Sequence, residues 1–342
     1  MKLLLFVSLI FWSFFSAHAE EVYEIKGPLG LPDLETPDDN PQTPEKVALG
    51  RKLYFDTRLS ADDTISCATC HDPTKGFADG EPVSTGIKGQ KGGRNAPSVL
   101  NAAYYRIQFW DGRAPSLEEQ AKGPIVNPIE MGMPSHQAVV EKLRGIRGYQ
   151  EAFQKVFGKE GITIDNIAIA IASFERTILA GNSPFDRYFF KGDKDAMSQS
   201  AIRGMEVFKE KGKCTLCHPF TPDKALFTDN GFHNIGVGMD KPNPDLGRYS
   251  VVEGAGKTEG LRGAFKTPTL RNVTLTAPYM HDGSQKTLEE AVDFYDKGGH
   301  PNPYLDPQIK PLNLTGQEKS DLVEFMKSLT CDTLPSLTGV RD

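Results

Sequence analysis

Long apolar runs are all but missing from this chain of 342 residues. The one that exists, Leu3 to Phe15, follows Lys2 and leads into Ala17-His18-Ala19. A charged start, a short apolar run and an A-x-A end form the pattern of an export signal, here residues 1–19, cleaved after Ala19. The run falls short of the roughly 20 residues that a membrane span needs, and no later run approaches it, so no membrane span is expected. A basic surplus is also lacking: 39 Lys and Arg face 45 Asp and Glu, for a net charge of −6. Loss of Lys2 with the leader makes the remainder one unit more negative. That balance argues against nucleic acid and anionic membrane surfaces as partners. Cysteine is sparse, with five residues, and four of them stand in two short motifs. Export therefore does not imply a disulfide framework here, and Cys331 is left over. Strand signals are few, so the fold is expected to be mainly α.

The four cysteines lie in Cys67-Ala68-Thr69-Cys70-His71 and Cys214-Thr215-Leu216-Cys217-His218. C-x-x-C-H is the attachment signal of c-type haem. Two thiols add across the haem vinyl groups, and the adjacent His becomes the proximal iron ligand. A zinc site or a thioredoxin-like dithiol also uses C-x-x-C. Neither needs a His directly after the second Cys in both copies, and no βαβ pattern surrounds either motif. Two covalent haem c groups are expected, held by Cys67, Cys70 and His71 and by Cys214, Cys217 and His218. In bacteria such haem is attached in the periplasm, which agrees with the export signal.

The remaining length suits two domains. We place them at 20–183 and 184–342, with the linker around Gly181-Asn182-Ser183-Pro184. Residues 20–42 read as an extended, proline-rich arm. Thr43-Pro44 reads as N-cap and first position of a helix. Further helical patterns cover 139–157, Ile164 to Leu179 capped by Asp165, a segment from Ser198, and two capping boxes at Thr287–Glu290 and Thr315–Glu318. From Asp72 to Glu130 the chain has no His and no Met. A cytochrome c domain built only for electron transfer supplies one of these as sixth ligand, so the first haem is expected to keep an open iron position, as a catalytic haem requires.

The order of several stretches resembles the bacterial di-haem cytochrome c peroxidases and the related MauG enzymes. The likeness rests on Leu59-Ser60, on Ser66 to Pro73, on Asn95-Ala96-Pro97-Ser98, and on Phe109-Trp110-Asp111-Gly112-Arg113. It continues in Thr267-Pro268-Thr269-Leu270-Arg271-Asn272-Val273 and Thr276-Ala277-Pro278-Tyr279-Met280-His281-Asp282-Gly283. The resemblance implies two cytochrome c-like domains, the first with a peroxidatic haem and the second with an electron-transfer haem, and a calcium ion between them. It implies His71 as proximal ligand of the peroxidatic haem, Glu130 as acid/base on its open face, and Trp110 as electron bridge. Asn95, Thr276 and Pro278 would give oxygen ligands to Ca²⁺, the last two through backbone carbonyls. His218 would hold the second haem with Tyr295 as its sixth ligand. Taken singly, Trp110 and Tyr295 would suit a core, Glu130 a solvated surface and Asn95 a turn; their joint order around two haem motifs lifts them out of those roles. His233, His281 and His300 stay unassigned.

Two departures from the ordinary peroxidase pattern imply a MauG-like chemistry. Residues 72–93 lack the His with which many such peroxidases block the first iron. The usual Met ligand of the second haem is replaced by Tyr295, whose phenolate oxygen favours higher oxidation states of iron. One feature implies the opposite: MauG carries a Trp two residues before its second motif, and Gly212 stands there here. The expected reaction is haem-based use of hydrogen peroxide. The reductant is a protein substrate with an oxidisable Trp or Tyr, or a small c-type cytochrome or cupredoxin. A non-enzymatic electron shuttle is disfavoured by the open iron position and Glu130.

Overall fold

The computed structural model describes residues 23–334, so the export signal expected at 1–19 lies outside the described residues. Helix α1, Pro44–Tyr54, begins where Thr43 and Pro44 set it. The Thr43 hydroxyl accepts a bond from Lys46 N at 3.3 Å, and proline fills the first helical position, where no N–H partner is needed. A single helical turn, α2 (Cys67–Cys70), carries the first haem motif. Helices α3 (Leu117–Val126), α4 (His136–Arg144), α5 (Arg147–Phe157) and α6 (Ile164–Glu175) follow.

Two expectations need correction in this half. The helix expected over 139–157 is two helices, because the chain turns at Gly145, whose N–H bonds the carbonyls of Glu141 and Lys142. Helix α6 is capped by Thr163 rather than Asp165. The Thr163 hydroxyl accepts from Asn166 N at 3.0 Å, while Asp165 turns out to Lys122 at 2.6 Å. Helix α6 also stops at Glu175; the β-branched Thr177 and Ile178 continue in tight turns back to Phe174 and Glu175.

The later helices are α7 (Pro184–Lys191), α8 (Gln199–Lys209), α9 (Leu288–Asp296) and α10 (Gly316–Ser328). Ser198 caps α8, and Thr315 with Glu318 forms a complete capping box on α10. At α9 only half the expected box closes. Thr287 accepts from Glu290 N, but the Glu290 carboxylate accepts from Lys286 N instead. Between α8 and α9, strands β1 (Phe232–His233) and β2 (Phe265–Lys266) pair antiparallel.

Buried apolar side chains form two clusters. One runs from Val47 to Ala180 and takes in Cys331; the other runs from Phe185 to Leu329 and is filled by Phe185, Phe208, Phe227 and Phe325. Each is framed by a helix pair that crosses at a glycine. A Cβ on Gly50 of α1 would lie 1.8 Å from Ala170 O and 3.0 Å from Phe174 Cβ. A Cβ on Gly204 of α8 would lie 1.9 Å from Asp321 O and 2.9 Å from Phe325 Cβ. The same crossing thus occurs twice, with the aromatic four residues after the contacted carbonyl in both.

The proline-rich arm is a strap rather than a loose extension. Asn40 and Gln42 donate to the α6 carbonyls of Ile169 and Ser173 at 3.2 and 2.7 Å. Gly30 O accepts from Ala225 N and from Arg271, whose guanidinium grips the buried Asp186 with two bonds of 2.8 Å. The arm therefore touches both clusters' frames.

Gly50→Ala and Gly204→Ala should each destabilise the haem-loaded protein by about 1–3 kcal/mol, because the extra methyl forces the helices apart. Gly316→Ala, with open space around it, is the control and should leave the melting temperature unchanged or raised. Thermal unfolding of the three variants checks this; equal losses at all three sites would refute the close-crossing account.

Candidate functional site

Both haem motifs present their histidines in the same way. Ser66 and Thr69 brace the α2 turn through Ser66 N donating to the Thr69 hydroxyl at 3.0 Å, and His71 follows at its end. The second motif begins in a 3₁₀ turn over Cys214–Leu216. His218 Nδ1 lies 2.8 Å from Phe227 O, and since a carbonyl only accepts, Nδ1 carries the proton. Nε2 is then the free lone pair. The His71 ring faces the carbonyls of Phe77 and Pro97, though Nδ1 makes no well-formed bond to either. For His218 the corresponding carbonyls are those of Phe227 and Pro268. Burial lowers the pKa of both rings and keeps them neutral, the form that ligates a metal.

Over His218 opens a cavity of about 260 Å³ with mostly apolar walls. Cys214, Cys217, Tyr295, Val292 and Met326 share its lining, so two thiols, one free imidazole nitrogen and one phenol converge there. This donor set fits a covalently attached haem. Burial raises the Tyr295 pKa, so the free side chain is a neutral phenol and only a metal would make it a phenolate. A smaller cavity over His71 is lined by Gln108, Phe109, Gln120 and Glu175, with no His other than His71 and no Met. Met131 and Met133 are committed to the hydrophobic core.

The two cavities share a wall of Pro97, Ser98, Tyr105, Trp110, Lys266 and Pro268. Trp110 is fixed there by its Nε1, which donates to Asn95 O at 2.9 Å, and by its carbonyl, which accepts from Lys266 N at 2.7 Å. Asn95 donates its amide to Glu81 O and its backbone N–H to His281 O, which leaves its side-chain oxygen available. Asn95, Thr276 and Pro278 line one cavity together. The Thr276 hydroxyl is spent on Val273 O, leaving the backbone carbonyl as the natural donor to a hard cation.

Glu130 stands apart from that wall, in the turn after α3. Asn127 Nδ2 donates to its Oε1 at 2.7 Å. Burial raises its pKa while the Arg113 charge opposes the shift, and its own charge is felt by Cys70. A raised carboxyl beside the first motif suits acid/base work.

Three features were not assigned from the sequence. His233 sits between Asp229 at 2.9 Å and Asp306 at 2.6 Å, and Asp229 first, then the Cys217 side chain and Asp306, raise its pKa to about 11. It is an imidazolium beside Cys217, and the grouping of Cys217, Asp229 and His233 is not a metal site once Cys217 is committed to haem. His281 stacks on Phe265 at 3.6 Å, and burial lowers its pKa to about 4. Glu175 closes α6 at 5% exposure and lines the first cavity. It follows Phe174 as Met326 follows Phe325, so the duplicated frame puts a carboxyl at one cavity and a thioether at the other. The signal that could have found it is one acid ending an otherwise apolar helix.

Burial pushes Glu175 up to about 8. Its folded pKa thus exceeds the unfolded value, so stability from this group is full below about pH 4.5 and declines until about pH 8. Glu175→Gln should flatten the fall of melting temperature between pH 5 and 8 and be the more stable form at the alkaline end. Parallel pH-dependent slopes for both proteins would show that Glu175 is ionised in the fold.

A family model described as di-haem cytochrome c peroxidase matches residues 44–195. The chain is 42% identical over 306 residues to the methylamine utilization protein MauG of Methylorubrum extorquens, covering 88% of this chain and 84% of that protein. It is 39% identical over 294 residues to cytochrome c551 peroxidase of Nitrosomonas europaea, covering 85% and 82%. A solved structure of a MauG-like protein associated with microbial copper homeostasis is 32% identical and superposes with a TM-score of 0.80, over 92% of this chain and 97% of that one. Relatives of both names are oxidoreductases whose family implies two haems, and among the described residues no helix is long and apolar enough to cross a membrane. With the duplicated frame, the paired cavities and these matches in hand, the chain belongs to the di-haem cytochrome c peroxidase and MauG family.

Proposed function

We propose that this chain is a periplasmic, MauG-like di-haem enzyme that uses hydrogen peroxide to oxidise Trp or Tyr side chains of a partner protein. The observation that carries the reading is that Tyr295 and His218 line the same cavity. When bound, haem would supply peroxide binding and reduction. Peroxide takes two electrons and two protons to give two waters, and the electrons come from the partner's aromatic side chains, one at a time.

The residues divide the rest of the work. His71 would hold the haem of the first cavity, whose lining offers no second His and no Met. Glu130, oriented by Asn127, takes the proton of the incoming peroxide oxygen and returns it to the departing one. Trp110 stands in the wall between the cavities and carries oxidising equivalents across it. Asn95, Thr276 and Pro278 would hold Ca²⁺; because Asn95 O also accepts from Trp110, the ion would steady the bridge. Tyr295 would supply a hard oxygen to the second haem and favour its higher oxidation states.

A second reading, peroxide removal with electrons from a small c-type cytochrome or cupredoxin, is favoured by Gly212. A Cβ at that position would lie 2.9 Å from Val207 O and 3.1 Å from Cys214 Sγ. The aromatic relay that MauG enzymes place there has no room in this backbone. An oxidised partner residue must then give up its electron by another path to the second haem.

Glu130→Gln should keep both haems and their spectra while slowing reaction with peroxide by roughly 10²–10⁴-fold. Stopped-flow absorbance measures this, and an unchanged rate would remove Glu130 from the mechanism. Tyr295→Met should raise the second haem's midpoint potential in a spectroelectrochemical titration. The same variant should oxidise a reduced c-type cytochrome at least as fast as the parent but lose peroxide-dependent modification of partner aromatics, read by mass spectrometry. A parent that modifies no partner residue yet turns over reduced cytochrome would decide for the second reading.

A further inference from the structure

Lys266 is the one residue of β2 whose side chain opens on both cavities. It is 6% exposed. Its Nζ stands 3.1 Å from the centroid of the Tyr105 ring, and its backbone N–H holds Trp110 O. Two buried arginines have carboxylates: Arg271 pairs with Asp186, and Arg176 with Glu118. Among the described residues no carboxylate lies within pairing distance of Lys266, and burial alone acts on its charge, lowering its pKa to about 7. Glu175, on the wall of the first cavity, responds to Arg176 and Glu118 and not to this amine.

An ammonium withdrawn from water loses much of its hydration. A single cation–π contact returns only part of it. The deficit asks for an anion at the seam between the cavities, and the groups that both cavities are built to hold each carry two propionate carboxylates. We propose that Lys266 is a propionate anchor shared by the two haems, its ammonium pairing with carboxylates that reach the common wall from either side. The assignment rests on the reading of both motifs as haem sites and goes beyond the roles proposed above. A fixed positive charge beside both irons favours the ferrous state of each and so raises both potentials. Because the same residue tethers Trp110 O, propionate, bridge and second strand form one unit.

The test uses the haem-loaded protein and four chains: wild type, K266M, K266Q and K266R. Haem content is read as pyridine haemochrome and the two midpoint potentials by spectroelectrochemistry. Both potentials should fall in K266M and K266Q and stay near wild type in K266R, which keeps the charge. Propionate bending bands in the resonance Raman spectrum should move in the neutral variants and not in K266R. Unchanged potentials in the neutral variants would overturn the proposal. So would an equal fall in K266R, since that would trace the effect to packing. A wild-type chain with fewer than two haems would sink the haem reading and this assignment with it, whereas two haems with unmoved potentials sink the assignment alone.

Discussion

The bond from Lys266 N to Trp110 O is the contact on which the site's geometry depends. It stitches residues far apart in the chain at the wall that separates the two cavities. The stitches around it join the same two parts of the chain. Thr269 N donates to the Tyr105 hydroxyl at 2.8 Å, Asn95 N donates to His281 O at 2.8 Å, and Arg248 Nη1 donates to the carbonyls of Asp111 and Gly112. Arg94 adds ion pairs to Asp111 and Asp245 at 2.5 and 2.7 Å. Two redox centres exchange electrons through whatever lies between them, so the wall must be rigid before either cavity can matter. Partly buried, charge-assisted bonds give that rigidity because each would leave a buried partner unsatisfied if broken.

What was legible in the sequence is what local chemistry decides. Thr43, Ser198 and Thr315 cap their helices because a hydroxyl needs only the N–H groups of the next turn. Both haem motifs are local as well. What escaped depends on partners distant in sequence. Asp165 looks like a cap, but Thr163 is better placed and Lys122 draws the carboxylate away. The break at Gly145 is invisible to periodicity because the apolar rows on both sides are intact. The strap's role needs Arg271, which meets Gly30 and Asp186 only in three dimensions. Glu175 and Lys266 carried no motif, and burial that tertiary packing imposes is what makes them unusual.

The duplicated frame explains why the two haem sites can differ without the fold changing. In each half a glycine lets two helices cross, an aromatic residue packs on that glycine, and a proximal His faces a Phe carbonyl and a Pro carbonyl. These features hold a flat, apolar group against a helix pair and say nothing about its chemistry. The chemistry comes from what the frame leaves free. At the first cavity those positions hold Glu175 and Gln120; at the second they hold Met326 and Tyr295.

Charge follows the same division. The second site keeps the His233 imidazolium between Asp229 and Asp306, so one cation sits with two anions and the group carries a net negative charge. The first site has a carboxyl that burial keeps protonated and a second, Glu130, that burial pulls toward protonation. An acid that burial keeps protonated near neutral pH, as at Glu175, suits a reaction that consumes protons. Lys266 belongs to neither list: it stands where the two sites meet, and its charge is the one that both would feel.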